Sequence, residues 1–386
     1  MFWLGIQAVW GAVLGISLQA RTIELATGNA LIAYGHLATE GAIVAAVVQL
    51  VVGPWSDARR THGSRRLEFY AVGAIAAAVA IAFFYSAASF GVLVLAFLGV
   101  QAGMNVAIGP YQAIIPDLVA RDRLGVASSW MAAVQSAGNA IGALCASLIE
   151  DARWLAGALI ALLLATCAAT CAHVRTLALE AIQGREPLRI TRAFVDLFIS
   201  RAFIYVGFYT LLGYLLFYVG GALGTTTLRQ ARFESGLLIL AFTLVGVGGA
   251  ALAASPSDRL DKRLVANVGG GIVAVALAVF ITSHALAAAG VATAIAGLGW
   301  GVFLVADWAL ACRVLPSGAL ATTMAIWNLA LILPQIVAPA LTTAFLQRFA
   351  LTAPATGPRA AFALALGETL LGIAWLWRLP RCVAGN

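Results

Sequence analysis

Residues Gly53–Phe69 read GPWSDARRTHGSRRLEF, and this stretch decides the fold. Four arginines (Arg59, Arg60, Arg65, Arg66) and two acids (Asp57, Glu68) fill it, between two long apolar runs. Charge at that density does not enter hydrocarbon, so the stretch is expected to form a loop joining two membrane helices. Loops rich in Lys and Arg stay on the cytoplasmic side, which gives the chain its orientation.

The apolar runs recur almost from end to end. Of 386 residues, 62% are hydrophobic and 10% charged, and the mean hydropathy is +0.97. Soluble domains are about one quarter charged, so this is an integral membrane protein. A spanning helix needs about 20 apolar residues, and backbone groups in lipid must be satisfied within the segment; an all-α fold follows. Twelve spans are expected, at 3–22, 30–52, 69–88, 90–114, 125–148, 153–173, 195–219, 235–254, 264–283, 288–311, 318–346 and 359–378. The polar connection 174–194 divides an N-terminal six-helix bundle (1–173) from a C-terminal one (195–386).

Alternate loops differ in charge. One side collects sixteen Lys and Arg residues, from Arg59 through Arg381; the other holds six, among them Arg21 and Arg359. Both termini and the central linker are therefore expected in the cytoplasm, with the protein in an inner cell membrane. The net charge of +7 follows this topology, and no nucleic-acid partner is implied. The chain opens on Phe2-Trp3 with no basic segment before it, so the first helix is expected to insert uncleaved. Four scattered histidines and five cysteines, four of them inside apolar runs, offer no metal-ligand spacing and no disulfide framework. No cofactor is expected. No His/Cys/acid constellation marks an enzyme, and no long extramembrane segment marks a signalling domain.

The halves echo each other. Gly53-Pro54-Trp55-Ser56-Asp57 after the second span is matched by Ser255-Pro256-Ser257-Asp258-Arg259 after the eighth. Ile115-Pro116 is matched by Leu315-Pro316. Two repeats in the same orientation joined by a cytoplasmic linker suit a transporter that works by alternating access. Its partners would be a small-molecule solute and the bilayer, with a monomer as the expected state.

Three stretches carry a family resemblance. They are Gly53…Asp57…Arg66; then Ile108-Gly109-Pro110-Tyr111-Gln112…Pro116-Asp117, with Gly138-Asn139 downstream; and Ala306-Asp307-Trp308 through Trp327-Asn328 to Pro334-Gln335 and Pro339. Together they resemble the major facilitator superfamily, and within it the sucrose-transporter and glycoside–pentoside–hexuronide branch. The resemblance implies two pseudo-symmetric six-helix bundles and transport of a sugar or glycoside. The arginine-rich stretch and its copy (Gly53, Asp57, Arg59, Arg60, Arg65, Arg66; Asp258, Arg259), together with Asp117, are expected to act as a gating latch, with Asp57 placed to meet a helix N-terminus or an arginine. Plant sucrose-transporter relatives carry an acid and an arginine where spacing from Pro110 places Gln101 and Gln112 here. Any coupling acid then lies elsewhere.

Intramembrane acids are costly and tend to mark function. Glu40, with His36 one turn away, and Asp307 are the candidates for proton coupling; Arg21 is a possible partner for Glu40, and Glu368 is expected to be structural. Candidate solute contacts are Gln101, Asn105, Asn139, Asn328 and Gln335, whose neutral amides suit hydroxylated ligands. Tyr205 and Tyr209 join them as rings that can stack on a sugar. Tyr214 and Tyr218 are read as an outer aromatic belt, and Arg201 as snorkelling or pairing with Asp196. Bland accounts stand beside each of these: amides glue helices together, and tyrosines fill space. An exporter of drugs or metabolites is the alternative within the class, and a transport-dead membrane sensor the alternative outside it.

Overall fold

A computed structural model describes residues 1–61, 66–112, 124–176, 191–314 and 320–380. Within these, the side chains of Asp57, Arg60, Thr61, Ala132, Asp258, Cys312 and residues 124–129 and 320–329 are outside the description. Arg65 and Asp117 of the expected latch fall outside it altogether.

The described residues form twelve helices and no strand. They are α1 (Phe2–Leu25), α2 (Ala30–Thr61), α3 (Leu67–Ser86), α4 (Phe90–Gln112), α5 (Leu124–Leu148) and α6 (Ala152–Thr176), then α7 (Arg192–Ala222), α8 (Leu228–Arg259), α9 (Lys262–Thr282), α10 (Leu286–Val314), α11 (Leu320–Arg348) and α12 (Gly357–Leu376). Eleven are long and apolar enough to cross a membrane, and the twelfth is α5. A π-turn interrupts α1 at Val13–Ser17, and another closes α7 at Tyr218–Ala222.

The chain divides into two units, Met1–Gly184 and Arg185–Asn386. In the first, α1 packs on α5 and α6, α2 on α4, and α3 on α4 and α6. In the second, α7 packs on α11 and α12, α8 on α10, and α9 on α10 and α12. The same five pairings recur, so the two bundles are built to one plan.

The plan holds at the level of single residues. A Cβ on Gly73 of α3 would fall 2.7 Å from the Gly103 carbonyl of α4, and one on Gly103 would fall 2.5 Å from the Ala77 nitrogen. At a spacing of 196 residues, Gly269 and Gly299 bring α9 and α10 together in the same way. There a Cβ on Gly269 would fall 2.8 Å from the Gly299 carbonyl, and one on Gly299 would fall 2.8 Å from the Val273 nitrogen. Small residues allow this approach where apolar tails offer no hydrophobic drive between helices.

The stretch after Gly53 corrects its expected form. Helix α2 runs on through Gly53, Pro54 and the first arginines to Thr61, and α8 likewise runs through Pro256 to Arg259. A proline removes one intrahelical donor, but the following Ala-Arg-Arg residues favour helix, and leaving hydrocarbon does not oblige a helix to end. Arg66 then turns the chain with φ at 62°. The residue is buried, 6% exposed, and its guanidinium donates to the Ser56 hydroxyl at 2.6 Å. Arg59 meets Glu68 at 3.4 Å, and Trp55 packs edge-on against Phe69 with centroids 5.1 Å apart.

Tyr214 and Tyr218 also correct the reading. Both are fully buried rather than set in an outer belt. Tyr214 meets the Thr343 hydroxyl at 3.3 Å and Tyr218 donates to the Phe280 carbonyl at 2.9 Å. Each phenol has a polar partner inside the unit, which permits burial.

Candidate functional site in the membrane helices

In the C-terminal unit the site grows from one stripe of α7. Arg201, Tyr205 and Tyr209 follow at intervals of four and so lie on one face. Arg201 closes an ion pair with Asp307 of α10, and both side chains are buried. This overturns the expected partner Asp196, which instead lies near Arg192 and accepts from the Trp375 indole at 3.2 Å. The Tyr205 ring sits 4.8 Å from the Arg201 guanidinium carbon, a cation–π distance. Tyr209 accepts a hydrogen bond at 3.0 Å from the side-chain amide of Gln335 on α11.

An aromatic wall backs this stripe. Phe208 stacks on Trp300 with centroids 4.1 Å apart and planes 10° from parallel, and Tyr205 meets Trp300 edge-on at 5.0 Å. The assembly offers a matched charge pair, a phenol and an amide in sequence, and flat rings alongside. A hydroxylated ligand can bond to the phenol and amide without adding net charge. Breaking the ion pair from one side would leave a buried charge uncompensated, at about 3–5 kcal/mol.

In the N-terminal unit a cluster of neutral amides joins α2 and α4. Asn105 of α4 donates to the Gln101 carbonyl at 2.8 Å and accepts from Gln49 of α2 at 2.6 Å. Gln101 and Asn105 are buried. Asn139 is half-buried on α5, beside the close approach of α1 and α5. Glu40 and His36 are exposed on α2, and the expected partner Arg21 is taken by Glu24 at 2.5 Å and by the Ala87 carbonyl. Sequence reading missed Gln49 and Trp300. Gln49 carried the same signal as Gln101, an amide inside an apolar run.

The spacing of 196 aligns Gln101 with Gly297, Asn105 with Gly301 and Tyr111 with Asp307. Amides on α4 are thus answered by glycines on α10, which close α10 onto Phe242 and Gly246 of α8. Tyr111, packed between Phe2, Trp3 and Tyr70, is answered by the charged Asp307. The two units share a frame and differ in chemistry: amides in one, an ion pair in the other.

Of the remaining expected residues, Asn328, Asp57, Arg60 and Asp258 have side chains outside the description. The turn between α8 and α9 has its own acid–arginine pair, which sequence reading missed. Asp261 caps α9 by accepting from the Arg263 backbone at 2.9 Å, and its carboxylate meets the Arg263 guanidinium at 2.6 Å. The Arg263 hydrogen bond holds the Asp261 carboxyl below the usual carboxylate range. Among the described residues no group of three His, Cys, Asp or Glu side chains gathers as a metal site.

The Major Facilitator Superfamily profile matches residues 4–339. No curated protein matches the chain in sequence. Solved structures resemble it in fold. A bacterial homologue of the human lysosomal transporter Spinster, in an inward-facing and occupied conformation, superposes with a TM-score of 0.73 at 16% identity, over 100% of this chain and 96% of that one. The nucleoside transporter NupG gives 0.70 at 11% identity, over 98% and 97% of the two chains. A D-xylose–proton symporter gives 0.69 at 13%, over 98% and 96%.

Proposed function

Because the chain belongs to the Major Facilitator Superfamily, and so is a multi-pass membrane transporter of small solutes rather than an enzyme, we propose that it moves a sugar or glycoside by alternating access. The observation that carries this reading is the juxtaposition of the Arg201–Asp307 pair with the Tyr209–Gln335 hydrogen bond on one stripe of α7. A phenol and an amide that already satisfy each other can open to receive hydroxyls without burying new charge. The amides Gln49, Gln101 and Asn105 supply the same chemistry in the N-terminal unit.

Asp307 is the coupling residue of this proposal. A proton arriving on its carboxylate neutralises it and releases Arg201, whose guanidinium then seeks a new acceptor; leaving, the proton restores the pair. Exchange between pair and free cation is a two-state element of the kind coupling needs. The D-xylose–proton symporter among the structural neighbours supports this by analogy of fold alone. Glu40, exposed on α2, is the second candidate carrier. Membership of the sucrose-transporter and glycoside branch rests on the motifs around Pro110 and Asp307. The excess of Lys and Arg on one side supports cytoplasmic termini in an inner membrane, with the central linker and the latch around Arg59 and Arg66 on the same face.

The Phe208–Trp300 stack favours a second reading, in which the protein exports flat amphipathic compounds. Counterflow in proteoliposomes with a panel of labelled sugars and cationic dyes separates the two. Exchange of a sugar supports the proposal. Exchange of dyes with no sugar overturns it and supports the exporter. A pH gradient added to the same vesicles should drive accumulation.

A further inference from the structure

Glu368 lies on α12 with 4% of its surface exposed, and neither carboxyl oxygen has a hydrogen-bond partner among the described residues. Helix α7 lies against this part of α12, where a Cβ on Gly207 would fall 2.6 Å from the Thr369 hydroxyl and 2.8 Å from the Ala365 carbonyl, and Thr210 follows Gly207 one turn along the same face. Thr210 in turn stands 3.2 Å from the Thr342 hydroxyl of α11, and both threonines are fully buried. Three helices thus bring a carboxyl and two hydroxyls to one junction.

Charged groups on the helices packed around α12 are held by other partners or stand at helix ends. On α7, Asp196 holds Trp375, Arg201 is on Asp307, Tyr205 lies by Arg201, Tyr209 takes the Gln335 amide and Tyr214 meets Thr343. On α9, Arg263 is held by Asp261 and the Leu379 carbonyl, and Lys262 begins the helix beside it. On α11, Arg348 ends the helix, six residues beyond Thr342. On α12 itself, Arg359 donates to the Ala222 and Ser283 carbonyls. Among the described residues neither Glu368 oxygen is met by a cation.

An ionised carboxylate so placed would be buried without a donor or a counter-charge, and burial of that kind removes the charge by protonation. We propose that Glu368, with Thr210 and Thr342 behind it, is a proton-binding site of the C-terminal unit, separate from the Arg201–Asp307 pair. The protonated carboxyl donates to the Thr210 oxygen, and Thr210 donates to Thr342, so one proton satisfies the chain. The unit then holds two acids in opposite states: Asp307 ionised against an arginine, Glu368 neutral among hydroxyls. Environments that separate two acids in this way assign them different roles.

The test is infrared spectroscopy of the full chain in lipid at neutral pH, following the C=O stretch of protonated carboxyls in sodium-containing and sodium-free buffers. The wild type should show a band that Glu368→Gln removes, that the double variant Arg201→Met/Asp307→Leu keeps, and that Thr210→Val shifts. Identical spectra for wild type and Glu368→Gln would mean that Glu368 is ionised and would overturn the proposal. A band present only without sodium would overturn it too, because the site would then take an alkali cation. Should Glu368→Gln fail to fold, Thr210→Val decides: an unshifted band rules out the hydroxyl chain. No transport assay enters, so failure here leaves the solute reading untouched.

Discussion

Arg201 on α7 and Asp307 on α10, 106 residues apart in sequence, close into one buried ion pair. A pair of this kind adds little net stability, yet losing one partner is costly. Asp307→Asn should destabilise the protein by about 3–5 kcal/mol in denaturant unfolding. The double variant Arg201→Met/Asp307→Leu should recover most of that loss. It should keep sugar counterflow while losing accumulation driven by a pH gradient. A double variant that still accumulates would remove Asp307 from the coupling mechanism.

Tyr209 and Gln335 are joined by a single hydrogen bond at 3.0 Å. Tyr209→Phe removes the acceptor and leaves the Gln335 amide without it, at about 1–3 kcal/mol. Substituting both, with Gln335→Leu, should cost less than the sum of the two single changes. Solute affinity measured by counterflow should fall in all three variants, because either group alone offers half of the polar contact.

Asn105 and Gly301 are repeat-related positions, and their tolerance should be opposite. A side chain on Gly301 would meet the Gly246 carbonyl and the Ala250 nitrogen of α8. Gly301→Asn should therefore force α8 and α10 apart, at about 1–3 kcal/mol or more. Asn105→Ala creates no clash but strands Gln49, at about 1–3 kcal/mol. Thermal unfolding should drop in both. Asn105→Ala should also weaken solute binding, and Gly301→Asn should act through folding.

Much of this architecture is legible in the residues, and the exceptions share a cause. Apolar runs become helices because hydrocarbon leaves the backbone no alternative, so the spans can be read without a structure. The extensions of α2 and α8 past Pro54 and Pro256 were hidden, since proline followed by charge reads as a loop. Tyr214 and Tyr218 were misplaced because a belt tyrosine and a buried one differ only in whether the hydroxyl meets water or an internal partner, here Thr343 for one and the Phe280 carbonyl for the other. Arg201 could be seen as unusual, but its choice of Asp307 over Asp196 is made by packing of α7 on α10. Local spacing carries no record of that choice.

Asp261 gives a pH dependence with a definite sign. Its folded carboxyl lies below the usual range because of Arg263. The stabilisation is therefore present above the unfolded value, about 3.9, and is lost as pH falls through the lower folded value. Thermal unfolding from pH 7 downward should show this loss in the wild type and a smaller one in Asp261→Asn. At neutral pH, Asp261→Ala should cost about 1 kcal/mol through loss of the helix cap.

Arg66 tests the arginine-rich stretch after Gly53. Its backbone is left-handed, with φ at 62°, and its side chain is tied to Ser56 at 2.6 Å. Arg66→Gly and Arg66→Ala both remove the tie, but only alanine retains the steric penalty of the left-handed backbone. Alanine should be the more destabilising of the two by about 1 kcal/mol. If this turn belongs to a latch, both variants should slow solute exchange and leave solute affinity unchanged, as should Asp57→Asn. An affinity loss with normal turnover would place the stretch at the solute instead. Equal stability of the glycine and alanine variants would mean that the left-handed backbone at Arg66 adds no steric cost.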